Sequence, residues 1–317
     1  MRFHLSNSAF LGNIDPTIRL FDPRNKTELI ITANEKWVSV HPVILAMLAT
    51  LGEEISQEKI IWKEEYRQAK SIHYLQRMGL FNILKIKEEK IITKHEPAGR
   101  FIPLTKISSA AEQSQFISEM IPLLHLEFEQ VEPIKYVVSE LIRNVLEHAE
   151  SKKGAWVCAQ FYPKSNRVRI GIVDTGIGIK ESISRSILTI NDSQAIRLAL
   201  MPGVSGSNDP DNNAGAGLFF TRCIAKTNKD FFFIYSGKAN YKLLISKDKR
   251  LEFETDPWNE DNSNNDNLPY WQGTVVGIDF TLKKTTEFSE LMQKLRETYT
   301  EKLREKKKLV KMRPQFT

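Results

Sequence analysis

The chain has 317 residues, of which 41% are apolar, 26% charged and 9% aromatic, which excludes wholesale disorder and fibrous structure. The net charge of +6 is concentrated in EKLREKKKLVKMR (301–313), with seven Lys/Arg against two Glu, so no nucleic-acid groove is indicated beyond that basic tail. Two cysteines, a start (MRFHLSNSAF) without a signal peptide's apolar core, and a longest apolar stretch (38–51) broken by His41 and Pro42 argue against a disulfide scaffold, secretion and a membrane span, so a cytoplasmic protein is expected.

At about 100–200 residues per domain, two domains are predicted. ELIITA (28–33) reads as a strand, 43–51 as an apolar helix after Pro42, KIIW (59–62) as a strand, and 64–80 as a helix with Gly79 near its end. This alternation predicts a small α/β unit over 1–100. TKHEPAGRFIPLTKIS (93–108), with two prolines and a glycine, is the candidate boundary.

The second unit, 105–285, opens with apolar-periodic residues from Ala110 and a long helix over 133–149, Pro133 fitting its first turn. AWVCAQFY (155–162) and VRIGIVD (168–174) are strands joined by the turn PKSN. The polar stretch GVSGSNDPDNNAGAG (203–217) leads into a helix from Leu218. FFFIYS (231–236) and YKLLIS (241–246) form a hairpin, and the continuous apolarity of FFFIYS predicts a strand buried on both faces. An acidic, Asn-rich loop (255–268) precedes the strand GTVVGIDFTL (273–282). In 286–317, Phe288, Leu291, Leu295, Tyr299 and Leu303 make an amphipathic helix that runs into the basic tail. That stripe is a candidate for dimerisation, and packing on its own sheet is the preferred reading.

Three segments carry chemistry together. In SELIRNVLEHA, Glu140 and Asn144 lie one turn apart on one helix face, Cβ atoms about 6 Å apart. There Asn offers a hard oxygen to a divalent cation and Glu can accept a proton from water. The plain alternative is a solvated polar pair. Asp174-Thr175-Gly176-Ile177-Gly178 follows an apolar strand, and its carboxylate at the strand end can accept from an exocyclic amine; the alternative is an Asp-Gly turn. Gly215-Ala216-Gly217-Leu218 sits where a loop becomes a helix, a junction that attracts anions. It is not a Rossmann fingerprint, and no Gly-x-x-x-x-Gly-Lys-Ser/Thr loop occurs.

With Gly273-Thr274 opening a late strand, these motifs in this order resemble the GHKL ATP-binding superfamily, in the style of anti-sigma-factor serine kinases and stand-alone ATPase domains. The resemblance covers about 105–285. It implies a two-layer α/β sandwich, with helices over one face of a mixed sheet and ATP beneath a lid at 179–214. It further implies that Asp174 contacts the adenine amine with Thr274 in support through water, and that Gly176 and Gly178 line the base pocket. Asn144 would hold Mg²⁺, Gly215, Gly217 and Leu218 would cradle the phosphates, and Glu140 would be the general base. His148, four residues after Asn144, fits the serine-kinase style, and a buried, hydrogen-bonded histidine is its plain reading. Glu147 stands where many sensor kinases have lysine and would repel triphosphate. Neither His95-Glu96-Pro97 nor His125-Leu126 makes a convincing phosphoacceptor.

Residues 1–100 are faintly similar to STAS domains, with Ser39-Val40-His41-Pro42 in place of the phosphorylatable serine turn, which implies an interaction module. The function expected is a regulatory ATPase whose lid closure on Mg-ATP switches contact with a partner protein. A serine/threonine protein kinase is the second reading, and a non-hydrolysing adaptor or histidine-kinase-like protein the third.

Overall fold

Residues 1–86 alternate strand and helix, as the apolar pattern predicts. They give β1 (Arg2–Leu5), β2 (Ser8–Ala9), α1 (Asp15–Arg19), β3 (Leu29–Ala33), β4 (Ser39–Val40), α2 (Pro42–Glu53), β5 (Ile60–Trp62), α3 (Ile72–Arg77) and α4 (Leu80–Leu84). The computed structural model of the chain describes residues 1–34, 39–62, 72–86, 100–204, 215–245, 253–282 and 288–311, with the backbone alone at 39, 120, 123 and 305–311. β1, β3 and β5 pair in parallel, in that order. The helix expected over 64–80 is broken at Gly79, whose φ of +82° turns α3 into α4; residues 63–71 lie outside the described ones.

The remainder gives β6 (Phe101–Ile107), α5 (Ala110–Gln115), α6 (Phe128–His148), β7 (Ala155–Tyr162), β8 (Arg167–Asp174), α7 (Gly178–Ser184), α8 (Asp192–Ala199) and α9 (Gly217–Asn228). After them come β9 (Phe232–Gly237), β10 (Ala239–Leu243), β11 (Asn262–Asn265), β12 (Trp271–Thr281) and α10 (Phe288–Lys311). Seven strands form one sheet in the order β11-β10-β9-β12-β8-β7-β6. Every pairing within it is antiparallel, which corrects the mixed sheet expected. β9 is buried along its whole length, as its unbroken apolar run predicts.

Both edge strands fall where loops are predicted. β6 occupies the end of the candidate boundary and carries Pro103 at an irregularity between Ile102 and Thr105. An edge position tolerates the missing N–H there. β11 lies inside the acidic, Asn-rich stretch and pairs with β10 from Asn262 to Asn265. α6 starts a turn and a half earlier than predicted. Glu127 precedes it, its amide donating to the Gln130 side chain at 3.2 Å, so Pro133 falls inside the helix rather than in its first turn.

The sheet is covered on both faces, not on one. One face packs under α6, α8, α9 and α10, with Leu141, Ile224, Ile278 and Leu295 in a common core. The other face packs against residues 1–84, with Phe3, Leu45 and Leu48 joining Val173, Tyr235 and Trp271. α2 lies directly on it: Pro42 through Gly52 are all buried, as befits a helix apolar on every side. A Cβ on Gly171 of β8 would come within 2.3 Å of the Val43 Cα, so the helix backbone touches the strand. Polar ties reinforce the contact, among them Trp156 Nε1 donating to Glu53 at 3.1 Å and His41 to Asp279 at 3.1 Å. No helix among the described residues is long and apolar enough to cross a membrane.

Candidate functional site

The end of β8 delivers Asp174 into the interior, where it is 2% exposed. Its carboxylate accepts from the Gly176 amide at 2.7 Å and from the amide of Thr274. Burial pushes its pKa up to about 7, the two amides partly offsetting that rise. Thr274 reaches Asp174 through its backbone because β12 changes register between Trp271 and Thr274. Gly273, at φ +92°, makes that step; a Cβ there would lie 2.3 Å from the Asp174 carbonyl oxygen. Trp271 Nε1 donates to that same oxygen at 3.2 Å.

The turn after Asp174 is stitched to the end of α6. The Ile177 amide donates to the Ala149 carbonyl at 2.7 Å, and a Cβ on Gly176 would sit 2.0 Å from that oxygen, so only glycine fits. Gly178 opens α7 with a φ of +81°. Ser236 locks that opening, accepting from the Ile179 amide at 3.0 Å and donating to the Gly273 carbonyl at 2.7 Å.

Further back along α6, Glu140 meets the start of α9. Glu140 Oε2 lies 2.5 Å from where a Gly217 Cβ would be, so the helix start rests on the carboxylate. Arg143 donates to Glu140 at 2.6 Å, while burial raises the Glu140 pKa, Arg143 opposing the rise. Asn144, one turn on, has its Nδ2 buried without a hydrogen-bond partner. Leu218 is half-buried against the core, and Gly215, at φ +85°, packs on the Val204 backbone. Asn144 thus lies on α6 between Glu140, which touches Gly217, and Ala149, the residue just past the helix end, which touches Gly176.

The lid expected over 179–214 is described as far as 204 and contains α7 and α8; residues 205–214 lie outside the described ones. Leu188 and Ile190, between those helices, are 89% and 80% exposed. α10 closes the arrangement from outside. Tyr299 packs on Phe220 at 5.5 Å, Phe288 on Tyr136 at 6.1 Å, and Leu303 fills the space above Gly203. Its stripe is therefore spent on the chain's own core, against α6, α9 and the layer over the sheet.

His148 differs from its plain reading. It is half-buried and 3.9 Å from the Glu147 carboxylate, with burial as the main cause of its lowered pKa. His95–Pro97 and the side chain of Ser39 lie outside the described residues. Sequence reasoning missed Ser236, Trp271 and Gln272, the last donating to the Gly176 carbonyl. None has a local signal; each reaches the site through the β9–β12 register. No protein-family model matches the chain, and neither a curated protein nor a solved structure matches it.

Proposed function

We propose that the chain is a regulatory ATP-binding protein in which Mg-ATP ties the Asp174 turn, α6 and the start of α9 together, and in which the segment 179–214 transmits the occupied state to a partner protein. The observation that carries this reading is that the C-terminal half of α6 and the residue after it contact the other two motifs, Glu140 at Gly217 and Ala149 at Gly176. A buried carboxyl supplied only by backbone amides has an acceptor to offer an exocyclic amine. Asn144, whose Nδ2 is buried without a hydrogen-bond partner, would offer its side-chain oxygen to Mg²⁺. Gly217 presents the first amides of a twelve-residue helix. Mg²⁺ would neutralise the phosphates and polarise the terminal phosphoryl group.

Glu140, its proton affinity raised by burial, is the base for an attacking water. The exposed Leu188 and Ile190 give the moving segment apolar groups for a partner to read. Transfer to a protein hydroxyl uses the same pocket and is the second outcome of the assay.

Calorimetric titration of Mg-ATP separates the roles. Asp174→Asn, which turns an acceptor into a donor facing the amine, is expected to weaken binding at least a hundredfold. Glu140→Ala is expected to keep affinity within a few fold and to lose phosphate release. Equal affinity in wild type and Asp174→Asn overturns the base pocket. Label from [γ-³²P]ATP appearing on protein rather than as free phosphate turns the reading to a kinase.

A further inference from the structure

Ser236 belongs to none of the three motifs, yet its hydroxyl meets two of the turns that frame Asp174. It lies on β9 opposite Thr274 of β12 and is buried. Its Oγ donates to the Gly273 carbonyl at 2.7 Å and accepts from the Ile179 amide at 3.0 Å. The first bond fixes the step at Gly273, the residue whose positive φ brings the Thr274 amide onto the Asp174 carboxylate. The second supplies the start of α7, where Ile177 is the N-cap and has no side-chain hydrogen bond to give.

A hydroxyl both donates and accepts, so one serine can hold a carbonyl and an amide at once. Trp271 and Gln272 also bind the turn, at the Asp174 and Gly176 carbonyls, but both come from β12. Ser236 comes from another strand and joins β12 to α7. The space suits a hydroxyl: a Cβ on Gly178 would lie 2.9 Å from Oγ, so a side chain there would push it aside. Without that oxygen, the Gly273 carbonyl and the Ile179 amide, both on buried residues, lose the partner they share.

We propose that Ser236 is a positioning residue of the candidate site: its hydroxyl ties the Gly273 step to the start of α7, so that the hold of Asp174 on a base and the placement of the segment beginning at residue 179 are set together. This rests on the reading of the Asp174 turn as the base pocket. Ser236 acts through other groups, the Thr274 amide on one side and the first turn of α7 on the other. Binding at Asp174 and order in α7 therefore share one hydroxyl, which gives the segment 179–214 a physical connection to the occupied state.

The test is Ser236→Ala in the full chain, which removes one oxygen and adds nothing. Tyr241→Phe is the control, losing a buried hydroxyl on β10 that bonds to Pro257 and Glu260. Carboxyl-detected NMR follows the titration of Asp174. In Ser236→Ala its midpoint is expected to rise above the wild-type value, because the Thr274 amide no longer supports the charged form. In Tyr241→Phe it is expected to stay. The Ile179 amide is expected to exchange about tenfold faster, and Mg-ATP to bind about tenfold more weakly, in Ser236→Ala alone. An unchanged Asp174 midpoint, unchanged nucleotide affinity, or equal effects in the control overturns the positioning role. Should Ser236→Ala not fold, the wild type decides. Its Ile179 amide stands where a helix's first amides lack intrahelical partners, so slow exchange is expected and exchange at the unprotected rate overturns the tie. Failure of the wild type to bind Mg-ATP overturns the nucleotide reading alone, since the Asp174 and Ile179 measurements use no nucleotide.

Discussion

Asp174 and Asp279 are equally buried, each 2% exposed, on the neighbouring strands β8 and β12, yet they are supplied in opposite ways. Asp279 faces His41 at 3.1 Å, Arg169 at 3.5 Å and Arg167 at 3.7 Å. Arg169 is itself held between the rings of Phe10 and Tyr162, at 3.9 and 4.3 Å. His41 accepts from the Val43 amide at Nδ1 and gives its Nε2 proton to Asp279; burial lowers its pKa, so the ring is neutral. Among the described residues, Asp174 has backbone amides and no cation. A carboxylate with a full set of charged partners has finished its work inside the fold. One that is buried and half-supplied holds capacity for something from outside.

Removing Asp279 strikes the first environment hardest. Asp279→Ala leaves two arginines and the cap of α2 facing a void, and a loss of about 3–5 kcal/mol is expected in urea unfolding. A loss below about 1 kcal/mol would make the cluster a screened surface pair and dissolve the contrast.

Asp174 should behave in the opposite sense. Its folded pKa of about 7 stands above the reference of 3.8, so between those values the folded chain binds more protons than the unfolded one. Its contribution is therefore greatest at the acid end, declines as pH rises from about 4 to 7, and is flat above. Asp230, also raised to about 7 by burial, acts in the same direction. Asp174→Asn is expected to remove part of that slope and to stabilise the protein at pH 8. The rise from 3.8 to about 7 sets an upper bound of about 4 kcal/mol. A melting temperature of Asp174→Asn that falls at pH 8 and keeps the wild-type pH slope would mean that the carboxylate has a charged partner after all.

The smallest effect belongs to the contact between the two regions. Gly171→Ala must push α2 off β8 by a fraction of its side-chain radius, because the new Cβ meets backbone rather than a movable side-chain tip. A cost of about 1–3 kcal/mol in thermal unfolding is expected, with nucleotide affinity unchanged.

The middle of the chain was legible where one residue type repeats with a clear period. AWVCAQFY and VRIGIVD became strands within a residue of their expected ends, because β-branched and aromatic residues on a pleated surface have few competing states. What was hidden depends on partners remote in sequence. Asn262–Asn265 has poor strand propensity and becomes β11 only by pairing with β10. Phe101–Ile107 is disguised by Pro103, which an edge tolerates. The role of α2 was signalled by its unbroken apolarity, since a helix without a polar side must be covered all round. The three motifs were visible in the sequence as short patterns. Ser236, Trp271 and the His41–Asp279 pair, 238 residues apart, were not, because no local pattern encodes strand register.

The seat of α10 has a consequence for synthesis. Tyr136, Phe219, Phe220 and the backbone at Gly203 are all made before residues 288–303 leave the ribosome, and these are the groups that α10 covers. Until then the nascent chain displays an aromatic strip beside the candidate pocket, open to chaperones or to neighbouring nascent chains. Burial of that strip thus waits on translation of the segment beyond residue 287 rather than on the folding of the sheet.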